Sequence, residues 1–208
     1  LSKGHCALAL YAVLKNKKII SNKEFQTYAT DKTLFGEHPS PSLKKNKINF
    51  ASGSLGHGIG YASGVAYSNK LKKVSGKSFV LIGDGELNEG SCWESITLAA
   101  KLKLDNLYVF IDYNKWQATG RSNKILELEP LKEKLKSFGW ASAEVNGHDI
   151  EKVIKTIKVL EKKSGKPKII IAHTIKGKGV SFMEDDNNWH YRSPTNLEFE
   201  QAKIEILS

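Results

Sequence analysis

Short unbroken apolar runs alternate with amphipathic stretches along most of this chain. Ser78-Phe-Val-Leu-Ile82 is apolar, partly β-branched and stopped by glycine, so it reads as a buried parallel strand ending at Asp84; Leu107-Tyr-Val-Phe-Ile111 reads the same way. Between them Cys92, Trp93, Ile96, Leu98, Ala99 and Leu102 recur at helical spacing, which predicts a strand-helix-strand unit of a parallel sheet. Trp140 to Val145 alternates weakly as a strand, Gly147-His148-Asp149 is a turn, and Val153, Ile154, Ile157 and Leu160 mark a helix. Lys168-Ile-Ile-Ile-Ala172, after Pro167, is the last strand. Leu8, Leu10, Tyr11, Val13 and Leu14 predict a first helix with Ser2 as its N-cap, and Leu131, Leu135 and Phe138 another. Thr33 to Ser42 is a loop by its Pro and Ser content, and His148 reads as a turn or capping residue. Gly56, Gly60 and Gly64, four apart, form a smooth stripe expected to pack closely against a helix at Gly60 and Gly64. The expected fold is α/β: a mostly parallel sheet with helices on both faces, one domain over residues 1–208, without internal repeat or linker.

This pattern sets Asp84 and Asn114 at the carboxyl ends of two strands of one sheet, the edge where open α/β sheets bind ligands. Both offer hard oxygen donors of the kind Mg²⁺ or Ca²⁺ takes, and Mg²⁺ completes its shell with phosphate oxygens and water. Gly85 permits close backbone approach, and a helix starting near Gly90 or Ser91 would point free N–H groups toward an anion. On these residues two readings stand: a magnesium-held diphosphate, or a tight turn shaped by Gly83 and Gly85 and capped by Asp84. The 28 residues between Gly85 and Asn114, one helix and one strand long, favour the first.

Gly83-Asp84-Gly85, a helix and a strand ending in asparagine resemble the thiamin-diphosphate motif. The resemblance implies Mg²⁺, replaceable by Ca²⁺, on Asp84, Asn114 and the carbonyl of Trp116, with Gly83, Gly85, Glu86 and Glu89 in the cofactor-binding set. Four more segments resemble the transketolase family in order. Leu1-Ser-Lys-Gly-His5, with Leu10-Tyr11 following, implies that His5 reaches the cofactor diphosphate and donor substrate. Gly36-Glu-His38-Pro39 implies a substrate contact for His38. Gly53-Ser-Leu55-Gly-His57 implies that Gly53, Leu55 and His57 meet the cofactor's rings. Lys176-Gly-Lys-Gly179, an acidic turn and Trp189-His190 imply Lys176 beside the cofactor and His190 facing diphosphate and substrate.

The implied protein is the N-terminal, thiamin-diphosphate-binding half of a transketolase, as in split two-subunit forms. It would transfer a two-carbon ketol unit from a ketose or ketose phosphate to an aldose, with His5, His38 and His190 catalytic. Its partner would be a C-terminal subunit carrying the pyrimidine-binding domain, in an α2β2 assembly, with Glu89 toward that domain. On this reading the given residues would depart from the family in two ways, carrying neither an upstream helix with Gly-His-Pro nor a pyrimidine-binding domain. The alternatives are half of a 1-deoxyxylulose-phosphate synthase-like or 2-oxo acid dehydrogenase-like enzyme, or a non-catalytic relative of the fold.

Composition bears on partners and compartment. A net charge of +10 raises nucleic acid as a partner, but only Arg121 and Arg192 are arginines and no aromatic-interleaved basic stripe appears, so runs such as Lys15 to Lys18, Lys132 to Lys136 and Lys162 to Lys168 read as solvated faces. Cys6 and Cys92 are too few for a disulfide framework and fit a reducing, cytoplasmic compartment. No apolar run is long enough for a membrane span, and Cys6 to Leu14 lacks the flanks of a signal peptide.

Overall fold

The computed structural model describes residues 1–41 and 48–208; Ser42, at the end of the expected loop, lies outside them. A 3₁₀ turn, Gly4–Cys6, leads into α1 (Ala7–Asn16), and α2 (Asn22–Phe25) follows. Next come α3 (Gly58–Leu71), β1 (Ser78–Gly83), a 3₁₀ turn Gly85–Asn88, α4 (Gly90–Lys101) and β2 (Leu107–Tyr113). A small antiparallel hairpin, β3 (Trp116–Gln117) and β4 (Gly120–Arg121), runs into α5 (Ser122–Ile125) and α6 (Leu131–Ser137). The chain continues through β5 (Ala141–Asn146), α7 (Ile150–Glu161), β6 (Lys168–His173), a 3₁₀ turn Asn187–His190 and α8 (Asn196–Leu207).

Four strands form one sheet in the order β1-β2-β6-β5, every pair parallel. Gly83 pairs with Asp112, Asp112 with Ala172, and both Tyr113 and Asn146 with His173, so the strands end at one edge. One face carries the main core: Ile59, Ala62 and Ala66 of α3, Cys92, Ile96 and Ala99 of α4, and Leu131 and Leu135 of α6 pack on Val80, Ile82, Val109, Ile111, Ile169 and Ile171. The other face takes α7, whose Leu160, Val153 and Ile157 meet Val145, Ile170 and Phe110. Helices thus cover both faces, as the alternation of runs predicts, because parallel strands joined by crossovers must be shielded on both sides.

Four local expectations are corrected. Ser2 does not cap α1, whose N-terminus has no side-chain cap; it is buried, donating to Glu86 Oε1 and accepting from the Gly58 N–H at 3.1 Å. Gly60 packs toward Ser95 of α4, but a Cβ on Gly64 would meet nothing within 4 Å, because α3 has turned that position to solvent. Lys168 is not on a solvated face: it is 2% exposed, with Nζ donating to the Asp105 carbonyl and lying over the Tyr108 ring. The first residues of α4 are not among those lining the sheet-edge cleft, and Ser91 donates to the Gly56 carbonyl at 3.0 Å. Hydrophobic periodicity also passes over α2, α8 and the β3–β4 hairpin. Capping boxes Ser21–Glu24 and Thr195–Glu198 mark both helices and are legible as S/T-x-x-E.

Candidate active site

A cleft of about 520 Å³ opens at the carboxyl edge of the sheet. Its lining includes Gly83, Asp84, Gly85 and Glu86 from the turn after β1, Asn114, Trp116 and Gln117 after β2, and Lys176, Trp189 and His190 after β6. Lys3 and His5 close it from the N-terminal turn, and Leu55 and His148 also reach it. The residues from separate sequence motifs therefore meet because each follows a strand, or leads into α1 or α3, at the same edge.

Two carboxylates on adjacent strands have opposite electrostatics. Burial alone would raise Asp112, but the Lys3 ammonium beside it, with hydrogen bonds from Lys3, Thr174 and Asn114, takes it below its usual range. Asp84 is 1% exposed, and burial pushes its pKa up; its partners are the Ser122 hydroxyl on Oδ2 at 2.8 Å and the Gly85 N–H on Oδ1 at 2.9 Å, which restore only part of the shift. Among the described residues no basic side chain forms an ion pair with Asp84. A buried carboxylate with neutral donors alone is costly without a cation. Asn114 Oδ1 accepts from the Trp116 N–H at 2.9 Å and keeps a second lone pair. Among the described residues no group of three or more His, Cys, Asp and Glu side chains is arranged to hold a metal. An ion here would thus combine one carboxylate with amide and carbonyl oxygens and with oxygens of its ligand, which is the manner of Mg²⁺.

The cleft lining is also basic, with Lys3, His5, Lys176 and His190 in it. The His5 and His190 rings lie 5.2 Å apart between centroids, and Lys176 Nζ is 3.3 Å from His190 Nδ1. Desolvation, then the charges of His190, Lys3, His38 and Lys176, take the His5 pKa down to about 4. Burial and then Lys176 and Lys3 lower His190, and Lys176 is itself lowered chiefly by burial. A cluster of basic groups whose charged forms disfavour one another fits an anionic ligand, which would relieve the repulsion.

Of the expected site residues, His38, Gly53, His57 and Glu89 lie outside this lining. His38 is exposed beside Gly53, where a Cβ would come 3.2 Å from its ring. His57 is exposed at the start of α3, and exposed Glu89 packs against Gly56, whose φ of +91° disfavours a side chain and where a Cβ would run into Ser91 Oγ. Glu86 is almost fully buried and clamps the loop before α3, accepting from the Gly56 N–H at 2.9 Å. His148, which the sequence pattern assigns to a turn or cap, reaches a distant loop: its Nε2 accepts from the Ile175 N–H at 2.8 Å, setting the backbone next to Lys176. Ser122 gives no signal in sequence, since nothing in its neighbourhood points to Asp84.

Residues 1–206 match the family described as transketolase, thiamine diphosphate binding domain. An apulose-4-phosphate transketolase subunit from Phocaeicola vulgatus is 37% identical over 206 residues, covering 99% of this chain and 73% of that protein. The 6-deoxy-6-sulfo-D-fructose transketolase subunit SqwG of a Clostridium species is 34% identical, covering 99% and 74%. The crystal structure of Campylobacter jejuni transketolase superposes with a TM-score of 0.91 at 28% identity, and this chain spans 33% of its length. With the family matched along nearly its whole length and the fold shared with solved transketolases, this chain belongs to the transketolase family, as its thiamine diphosphate binding domain.

Proposed function

We propose that this protein is the diphosphate-binding subunit of a two-part, Mg²⁺-dependent transketolase that moves a two-carbon ketol unit from a ketose or ketose phosphate to an aldose. The observation that carries the reading is the pairing, in one cleft, of a buried Asp84 held only by neutral donors with the basic group His5, Lys176 and His190. Asp84, Asn114 and the Trp116 carbonyl would hold Mg²⁺, and Gly85 leaves its backbone open to a phosphate. When bound, thiamin diphosphate supplies the carbon nucleophile for breaking and making the bond beside a ketose carbonyl. His5 and His190, kept neutral by their surroundings, are suited to accept a proton from a substrate hydroxyl and return it, while Lys176 offsets anionic charge. His38 would join from the rim, and Gly53, Leu55 and His57 would meet the cofactor's rings.

Relatives that are themselves named as transketolase subunits support a partner chain. We assign that partner the pyrimidine-binding domain and an α2β2 assembly with two-fold symmetry, with residues 1–208 forming one domain and Glu89 turned toward the partner. Relatives named for apulose-4-phosphate and for 6-deoxy-6-sulfo-D-fructose support a sugar substrate. Two free cysteines fit a cytoplasmic setting, and no helix among the described residues is long and apolar enough to cross a membrane. The test is a ketol-transfer assay with Mg²⁺, thiamin diphosphate, a ketose phosphate and an aldose, with and without the partner chain. Activity appearing only on mixing is expected; full activity of this chain alone would remove the two-part reading.

A further inference from the structure

The segment Asn114–Ser122 carries more of the cleft than its two expected ligands. After Asn114 and Trp116 the hairpin turns back, and the Ser122 N–H donates to the Lys115 carbonyl at 3.0 Å, closing the loop. That closure places the Ser122 hydroxyl, on a residue only 3% exposed, 2.8 Å from Asp84 Oδ2. The adjacent residue, Gly85, donates to Oδ1, and the Lys115 backbone, on the same loop as Ser122, also hydrogen-bonds this carboxylate. A contact between neighbours in sequence leaves the side-chain rotamer under-determined; a second donor on the other oxygen, from a residue 38 positions away, fixes the carboxylate plane.

The chemistry of the donor matters as much as its place. On the next strand Lys3 neutralises Asp112, so that carboxylate has its charge compensated already. A cation at position 122 would do the same to Asp84 and compete with a divalent ion. A hydroxyl orients the carboxylate and leaves its charge uncompensated. Hydrogen bonds behind ligating groups set ligand orientation in metal sites, and their removal typically costs about 10–100-fold in metal affinity.

We infer that Ser122 is a positioning residue for the metal-binding carboxylate of Asp84, tying that ligand to the same loop that presents Asn114 and the Trp116 carbonyl. The inference rests on the cofactor reading above. It is tested by titrating Mg²⁺ into the full protein with its partner at saturating thiamin diphosphate, followed by calorimetry, for wild type, Ser122→Ala, Ser122→Thr and Ser122→Val. Turnover is measured against Mg²⁺ concentration in parallel, and thermal melts without metal report folding. Ser122→Ala is expected to weaken Mg²⁺ by roughly 10–100-fold, with turnover recovering to within a few-fold at high Mg²⁺. Threonine and valine match each other in shape and differ by the hydroxyl, so the threonine variant should bind Mg²⁺ more tightly than the valine variant even where alanine disturbs folding. Unchanged Mg²⁺ affinity in the alanine variant, or equal losses with threonine and valine, would overturn the inference. Turnover that stays low at saturating Mg²⁺ would also overturn it, since it would mark a packing defect. A wild-type protein that takes up no Mg²⁺ would bring down the cofactor reading, and this inference with it.

Discussion

Asp185 and Arg121 lock the β3–β4 hairpin to the loop after β6: Arg121 Nη1 donates to Asp185 Oδ1 at 2.7 Å and Nη2 donates to Oδ2. The same carboxylate accepts the Trp116 indole N–H at 2.8 Å, and the guanidinium lies 3.8 Å from the Trp116 ring centroid. Asp185 has a φ of +58°, and its N–H donates to the Lys176 carbonyl at 2.8 Å. Asn187 adds a bond to the Ala118 carbonyl at 3.0 Å. The loop bearing Trp116 and the loop bearing Lys176 and His190 are therefore fastened to each other as well as to the sheet.

Loosening that fastening should act locally. The ion pair is solvent-exposed, so Asp185→Ala is expected to cost no more than about 1 kcal/mol of global stability. Amide exchange from Trp116 to Arg121 should accelerate and thiamin-diphosphate affinity should fall. Exchange rates identical to wild type across this hairpin would remove the proposed linkage.

Asp84→Ala should abolish Mg²⁺-dependent binding of thiamin diphosphate and leave the fold intact, because the side chain lies in the cleft and not among the packed apolar residues. Calorimetry with and without Mg²⁺ measures it. Wild-type affinity in the variant would exclude Asp84 as a ligand.

His5 should stay neutral through the physiological range in the cofactor-free protein, titrating near 4 by NMR. Replacing His190 or Lys176 by a neutral residue should move that midpoint upward, since each charge lowers it. Because the folded value lies below the unfolded 6.5, the unfolded chain takes up a proton that the folded chain refuses as pH falls from about 6.5 to about 4. Stability should drop across that window and be level above it, and His5→Gln should flatten the slope.

For His38 and His190, substitution by alanine should lower turnover by roughly 10²–10⁴, the range for a lost general acid or base. Cofactor affinity should change far less. If both variants turn over within a few-fold of wild type, neither moves a proton in the reaction.

The core offers a check independent of the reaction. Trp140 is 2% exposed and donates its indole N–H to the Ile96 carbonyl at 2.9 Å, joining the start of β5 to α4. Denaturant unfolding of Trp140→Ala should show a loss of about 3–5 kcal/mol.

Local sequence suffices for the parallel sheet, the covering helices, and the position of Asp84 and Asn114 at one edge. Each of these follows from short-range signals: apolar runs of strand length, helical periodicity, and glycine at the strand end. The motifs carrying His5, Lys176 and His190 are contiguous too, but only their resemblance to the transketolase family, not periodicity or spacing, points to them. Which groups compensate which charges is settled by long-range packing. Lys3 neutralises Asp112 from 109 residues away, and Ser122 orients Asp84 from 38 away. The same packing draws Ser2 off the helix cap to Glu86, buries Lys168 and turns His148 onto Ile175. A side chain's hydrogen-bond partner and its burial depend on which loops the sheet brings to the same edge, and those loops are far apart in the chain.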